Sequence, residues 1–169
     1  SHFAGRRHIG ASSGGKDEPV TRNTRFRVAS VSKTVTGLAV MQLVQEGKIQ
    51  LDEDISHYLG YSLRNPNAPT VPITVRMLLS HTSSLRDGRT YSLPPSVPIR
   101  DYFKPGTSYY HPSHFASKWQ QPGTYFTYAN INYGVLGTII EKVTGERFDR
   151  CLKGRILTDH ETEATCLPA

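Results

Sequence analysis

Two short patterns in the chain gather side chains able to move an acyl group. Ser-x-x-Lys occurs as Ser13-Gly14-Gly15-Lys16 and as Ser30-Val31-Ser32-Lys33, and Tyr-x-Asn occurs as Tyr128-Ala129-Asn130. A serine hydroxyl is a poor nucleophile until a neighbouring base takes its proton, and a desolvated lysine amine can serve. A tyrosine beside an ammonium has its phenolate form favoured by the positive charge. An asparagine two residues on offers an amide donor and acceptor to a substrate amide. Each pattern is weak alone: chance supplies about 0.6 Ser-x-x-Lys and about 0.3 Tyr-x-Asn matches in a chain of this composition. The competing structural readings are a serine N-cap with a solvated lysine, and a core tyrosine beside an asparagine N-cap.

Context separates the two Ser-x-x-Lys matches. Ser13 lies in a Gly/Ser stretch with nothing to fix Lys16 near it. Ser30 opens a helix expected over 30–46 and ended by Gly47, where positions i and i+3 share a face. The helix N-terminus also favours negative charge developing at Ser30. Val31, Val35, Leu38, Ala39, Val40, Met41, Leu43 and Val44 leave this helix apolar nearly all round, which predicts a buried helix at the centre of its domain.

Other elements follow from the same rules. Residues 1–20 suggest an edge strand or hairpin arm, with His8-Ile9-Gly10-Ala11 as a strand, and Arg25-Phe26-Arg27-Val28 alternates like another. A short helical or turn segment is expected around 51–59, and Thr74 should cap a helix over 75–80. No period holds over 86–123, a proline-punctuated loop ending in the turn pair Pro122-Gly123. Ile131, Val135, Ile139, Ile140 and Val143 predict an amphipathic helix stopped by Gly145, and a last helix runs over 148–157.

Taken in order, four blocks resemble one family. They are Phe26-Arg27-Val28-Ala29-Ser30-Val31-Ser32-Lys33-Thr34, Leu51-Asp52-Glu53-Asp54, Leu78-Leu79-Ser80-His81-Thr82-Ser83-Ser84-Leu85 and Phe126-Thr127-Tyr128-Ala129-Asn130. The chain resembles the class C β-lactamase and penicillin-binding-protein-like serine hydrolases, including CubicO-type proteins and related esterases, over roughly residues 24–157. The resemblance implies an α+β fold of the β-lactamase/transpeptidase type, in the multi-domain α and β class. It implies Ser30 as acylated nucleophile, Lys33 as its proton-handling partner, Tyr128 as general base or acid, and Asn130 as ligand for a substrate amide. The Ser30 backbone N–H would supply half an oxyanion hole. His81 is expected to be structural rather than catalytic.

The family's third motif, Lys-Thr-Gly or His-x-Gly on a later strand, has no match after Tyr128. Lys142-Val143-Thr144-Gly145 is one residue too long and falls at a helix end, and His8-Ile9-Gly10 precedes the nucleophile. The expectation is therefore an N-terminal portion of a longer hydrolase: one region over 1–169, with strands and nucleophile helix in 1–48. A mostly helical region follows over 49–157, with the loop 86–123 inside it, and a divergent tail over 158–169. Such a chain should hydrolyse weakly or not at all alone, because losing one oxyanion donor costs about 10²–10³ in rate. A C-terminal segment or second chain would complete the site.

Composition sets the outer bounds. The 169 residues carry a net charge of +6, with basic residues dispersed rather than in a stripe, so nucleic-acid binding is not expected. No apolar run approaches 18 residues, which excludes a transmembrane helix within this sequence. Cys151 and Cys166 fit no zinc spacing, and His111-Pro112-Ser113-His114 lacks a third ligand, so neither metal nor cofactor is expected. Trp119 is placed at a cleft rim or as a surface-loop anchor. The expected substrate is a β-lactam, D-amino-acid peptide or small ester, and the expected location periplasmic or secreted, with cytoplasm as alternative. The competing class is a non-catalytic fragment that binds ligand or partner through the same cleft.

Overall fold

The computed structural model describes residues 6–7, 18–89 and 92–156. The chain divides at Val31/Ser32 into two compact units. In the first, β1 (Arg6–Arg7) pairs antiparallel with β2 (Glu18–Pro19), Arg6 opposite Pro19. A turn closed by Thr24 N–H on the Thr21 carbonyl (3.1 Å) follows, and a 3-10 turn spans Ala29–Val31. The strand expected at His8–Ala11 lies outside the described residues, as do Ser13, Lys16 and Cys166. The strand expected at 25–28 does not form. Among the described residues no strand ladder includes this segment, and Phe26 and Val28 stay exposed. Alternation alone cannot make a strand without a neighbour to take its hydrogen bonds.

The second unit is helical: α1 (Ser32–Gln45), α2 (Ile55–Leu59), α3 (Val75–Leu79), α4 (Ile99–Phe103), α5 (Ile131–Thr144) and α6 (Phe148–Ile156). Local signals set several ends. Asp54 caps α2 by accepting from Ser56 N–H at 2.9 Å and also pairs with Arg64. Thr74 Oγ1 accepts from Met77 N–H (3.3 Å) to cap α3, as its sequence indicates. Gly145 closes α5 at φ 71°, its N–H on the Glu141 carbonyl at 2.9 Å.

The central helix is α5, not α1. Ile131, Asn132, Val135, Leu136, Ile139 and Ile140 of α5 are buried, and α1, α2, α3, α4 and α6 all pack on it. Helix α1 buries only Thr36, Ala39, Val40 and Leu43, toward α5 and α6. Leu38 and Met41 on its other side are 52% and 47% exposed. The expectation of a helix buried all round is thus corrected: in the second unit neighbours cover one flank of α1 and leave the other bare.

The described residues of segment 86–123 hold more regular structure than their lack of period suggests. The segment contains α4 and a 3-10 turn at Pro112–His114, anchored by buried Tyr102, Phe103, His114 and Phe115. Tyr102 stacks on His114 with ring centroids 3.6 Å apart and planes 8° from parallel. Single aromatic anchors hold a loop without leaving any periodicity to detect.

Candidate active site

Lys33 stands in the first turn of α1, half-buried, and Asn130 sits at the N-cap position of α5, which packs against α1. Lys33 Nζ donates to Asn130 Oδ1 at 2.8 Å. The same ammonium lies over the rings of Tyr128 and Tyr133, 5.1 and 5.6 Å from their centroids. The Tyr128 hydroxyl reaches Asn130 Oδ1 at 3.4 Å, and Tyr128 is 45% exposed. Lys33, Tyr128 and Asn130, separated by some ninety-five residues of sequence, therefore meet on one oxygen atom.

Ser30 belongs to the first unit. It is exposed, in the middle of the 3-10 turn Ala29–Val31, and α1 begins two residues after it. Ala29, its predecessor, holds φ 45°. A non-glycine residue there costs on the order of 1–3 kcal/mol, a kind of strain that concentrates at functional turns.

The segment 81–84 builds the floor under Tyr128. His81 and Ser84 both take positive φ, 57° and 67°. His81 Nδ1 accepts from Ala129 N–H (3.3 Å) and faces Asn132 Nδ2 (3.1 Å), so Nδ1 carries no proton and the ring is neutral with its proton on Nε2. Burial, and then the Lys33 charge, hold His81 below the usual imidazole range. Its ring packs at 4.5 Å on Tyr128 and 5.4 Å on Tyr133, and its carbonyl accepts from Thr127 N–H at 2.9 Å. Asn132 is fixed in turn by Ser83 Oγ at 2.6 Å. Histidine here orients the tyrosine loop.

Sequence reasoning missed Asp87. Its Oδ2 accepts from Asn130 Nδ2 and its Oδ1 from Ile131 N–H, both at 2.9 Å. Asn130 occupies the N-cap position but makes no capping bond with its own side chain; Asp87 caps α5 instead. An acidic residue two places after Leu85 carries no spacing signal for a helix that starts more than forty residues later.

Other flagged residues fall elsewhere. His111 Nδ1 bonds Ser113 Oγ at 2.7 Å, while His114 Nδ1 lies 2.9 Å from the Tyr102 carbonyl, so both rings hold their turn together. Trp119 is 81% exposed beneath the Lys118 ammonium. Cys151 is a buried free thiol in α6. Lys142 and Gly145 lie in the last turn and C-cap of α5.

Comparison with known proteins identifies the family. The beta-lactamase family model matches residues 4–166. Protein flp of Staphylococcus aureus (strain N315) is 30% identical over 132 residues, covering 75% of this chain and 25% of that protein. The octameric penicillin-binding protein homologue from Pyrococcus abyssi aligns with TM-score 0.65 at 31% identity, over 83% of this chain and 32% of that one. EstCE1, a hydrolase with promiscuous acyltransferase activity, aligns with TM-score 0.62 at 30% identity, over 83% of this chain and 39% of that one. The chain thus spans a quarter to two-fifths of the length of these relatives. With a family model matched across nearly all its residues, and relatives at this identity sharing its fold, the chain belongs to the beta-lactamase family.

Proposed function

We propose that this chain is the nucleophile-bearing portion of a serine hydrolase that works through an acyl-enzyme on an ester or amide, a β-lactam, D-amino-acid peptide or small ester among them. Ser30 Oγ attacks the carbonyl carbon while Lys33, as its neutral amine, or Tyr128, as its phenolate, takes its proton. Collapse of the tetrahedral intermediate expels the alcohol or amine, which leaves with that proton. Water then attacks the Ser30 ester, releasing the acid and restoring the hydroxyl. The observation that supports this most is the meeting of Lys33 and Tyr128 on Asn130 Oδ1, beside a helix N-terminus that leads back to Ser30 in sequence. EstCE1, which is similar over most of this chain, is described as a hydrolase with acyltransferase activity, the outcome expected when an acyl-enzyme can pass its group to water or to an alcohol.

Asn130 has one role beyond holding Lys33. Oδ1 already serves two groups and one Nδ2 hydrogen serves Asp87, which leaves the second Nδ2 hydrogen as its donor to a ligand oxygen.

The chain covers only a quarter to two-fifths of each relative, so the chain alone is expected to turn over poorly. Nitrocefin and p-nitrophenyl ester hydrolysis by the 169-residue chain, with Ser30→Ala as control, tests both parts. Weak Ser30-dependent turnover is the expected result. Robust Ser30-dependent turnover would overturn the need for a further segment, and turnover equal in Ser30→Ala would overturn the nucleophile.

A further inference from the structure

We propose that Asp87 is a positioning residue: its carboxylate fixes which end of the Asn130 amide faces Lys33. The argument is one of donors and acceptors. An ionised carboxylate only accepts hydrogen bonds, so the Asn130 atom against Asp87 Oδ2 must be the donor Nδ2. A lysine ammonium only donates, so the atom against Lys33 Nζ must be the acceptor Oδ1. Each neighbour dictates the same amide orientation.

The surroundings hold that carboxylate in place. Its other oxygen is pinned by Ile131 N–H at the start of a 14-residue helix, where negative charge is stabilised. The Asp87 carbonyl accepts from the hydroxyl of buried Tyr102, which also bonds the Arg86 carbonyl at 3.1 Å. The next residue, Gly88, takes φ 58°, and a Cβ there would lie 2.1 Å from His114 Cδ2. Only glycine lets the chain turn past His114 and return Asp87 beneath α5. Because Asp87 takes over the capping of α5, the Asn130 side chain is released from that task and reaches Lys33.

Replacing the carboxylate by an amide breaks the logic. In Asp87→Asn the new side chain has one acceptor for two donors, Ile131 N–H and Asn130 Nδ2. One donor loses its partner, and the Asn130 amide is free to rotate its NH₂ toward Lys33.

This inference rests on the proposed function for its kinetic arm and on hydrogen-bond chemistry alone for its spectroscopic arm. The first arm measures the rate at which Ser30 of the 169-residue chain is labelled by a fluorophosphonate, in wild type, Asp87→Asn, Asp87→Glu, Asn130→Ala and the Asp87→Asn/Asn130→Ala pair. Asp87→Asn is expected to slow labelling about tenfold or more, from loss of a charge-assisted bond. Asp87→Glu should recover part of the rate. In the Asn130→Ala background, Asp87→Asn should change the rate less than about twofold, because its effect passes through Asn130. An equal loss in both backgrounds would reduce Asp87 to a helix cap and overturn the proposal. The second arm is the ¹⁵N–¹H spectrum of the side-chain amides, with Asn130 assigned by its absence in Asn130→Ala. One Nδ2 proton should be shifted downfield in wild type and Asp87→Glu, returning to the free-amide range in Asp87→Asn. An unshifted wild-type signal overturns the proposal even if no labelling is seen, whereas a shifted signal without labelling upholds Asp87 and rejects the nucleophile.

Discussion

Helices α1 and α5 are each 14 residues long, each is followed by a glycine with positive φ, and each carries a polar site residue at its start. They are buried in opposite ways. Helix α5 is enclosed by five other helices, while α1 buries one stripe and exposes Leu38 and Met41 on the other. The difference shows that apolar content says how much surface a helix could bury, and the number of neighbours decides how much it does. It also divides the site: Asn130 rides on the most constrained helix of the second unit, and Lys33 on one held from a single side.

The largest expected effect tests that division directly. Ile139→Ala in α5 should destabilise the chain by about 2–5 kcal/mol, read from the urea midpoint, because a fully buried side chain leaves a cavity. Leu43→Ala should cost the same range, since Leu43 is equally buried although it lies on α1. A much smaller loss at Leu43 would mean that α1 as a whole, not one face of it, is loosely held.

Gly88→Ala comes next. With positive φ and His114 in the way, it should cost about 1–3 kcal/mol and disturb the Asp87 cap of α5 as well. Thermal unfolding together with the Asn130 amide signal checks it; a stable variant with an unmoved signal would show that the turn has room to spare.

Acid should weaken the α5 side through two histidines. Burial holds both His81 and His114 below the usual imidazole range; for His81 the Lys33 charge adds to this, and for His114 neighbouring His111 does. Each binds a proton more readily unfolded than folded. Stability is then complete above about pH 6.5, the unfolded imidazole range, and falls as pH drops below it toward the lower folded-state values. His81→Asn, which tolerates positive φ, should flatten part of that slope while His114 retains the rest. An unchanged slope would place the sensitivity elsewhere. Smallest of all, Leu38→Ala on the bare flank of α1 should move stability by no more than about 0.5 kcal/mol.

Much of this was legible in the residues. Thr74, Gly145 and the Pro122-Gly123 turn declare themselves through local chemistry, and each does locally what its type demands: Gly123 has φ 84° and Thr124 N–H closes on the Gln121 carbonyl at 3.1 Å. The pairing of Lys33 with the Tyr-x-Asn pattern was legible too, through the family resemblance that the four blocks carry together. What escaped depends on distant partners. The bare side of α1 is set by which helices pack on it, the 25–28 segment has no partner strand among the described residues, and Asp87 gains its meaning only when a turn folds it beneath α5.

The central claim is that Ser30 is a nucleophile served by Lys33, Tyr128 and Asn130. Peptide mapping by mass spectrometry after treatment with a fluorophosphonate and with a penicillin tests it most directly. The account predicts an adduct confined to the peptide bearing Ser30, absent in Ser30→Ala and strongly reduced in Lys33→Ala. An adduct that persists in Ser30→Ala, or a Ser30 that stays unmodified by both reagents, would contradict it.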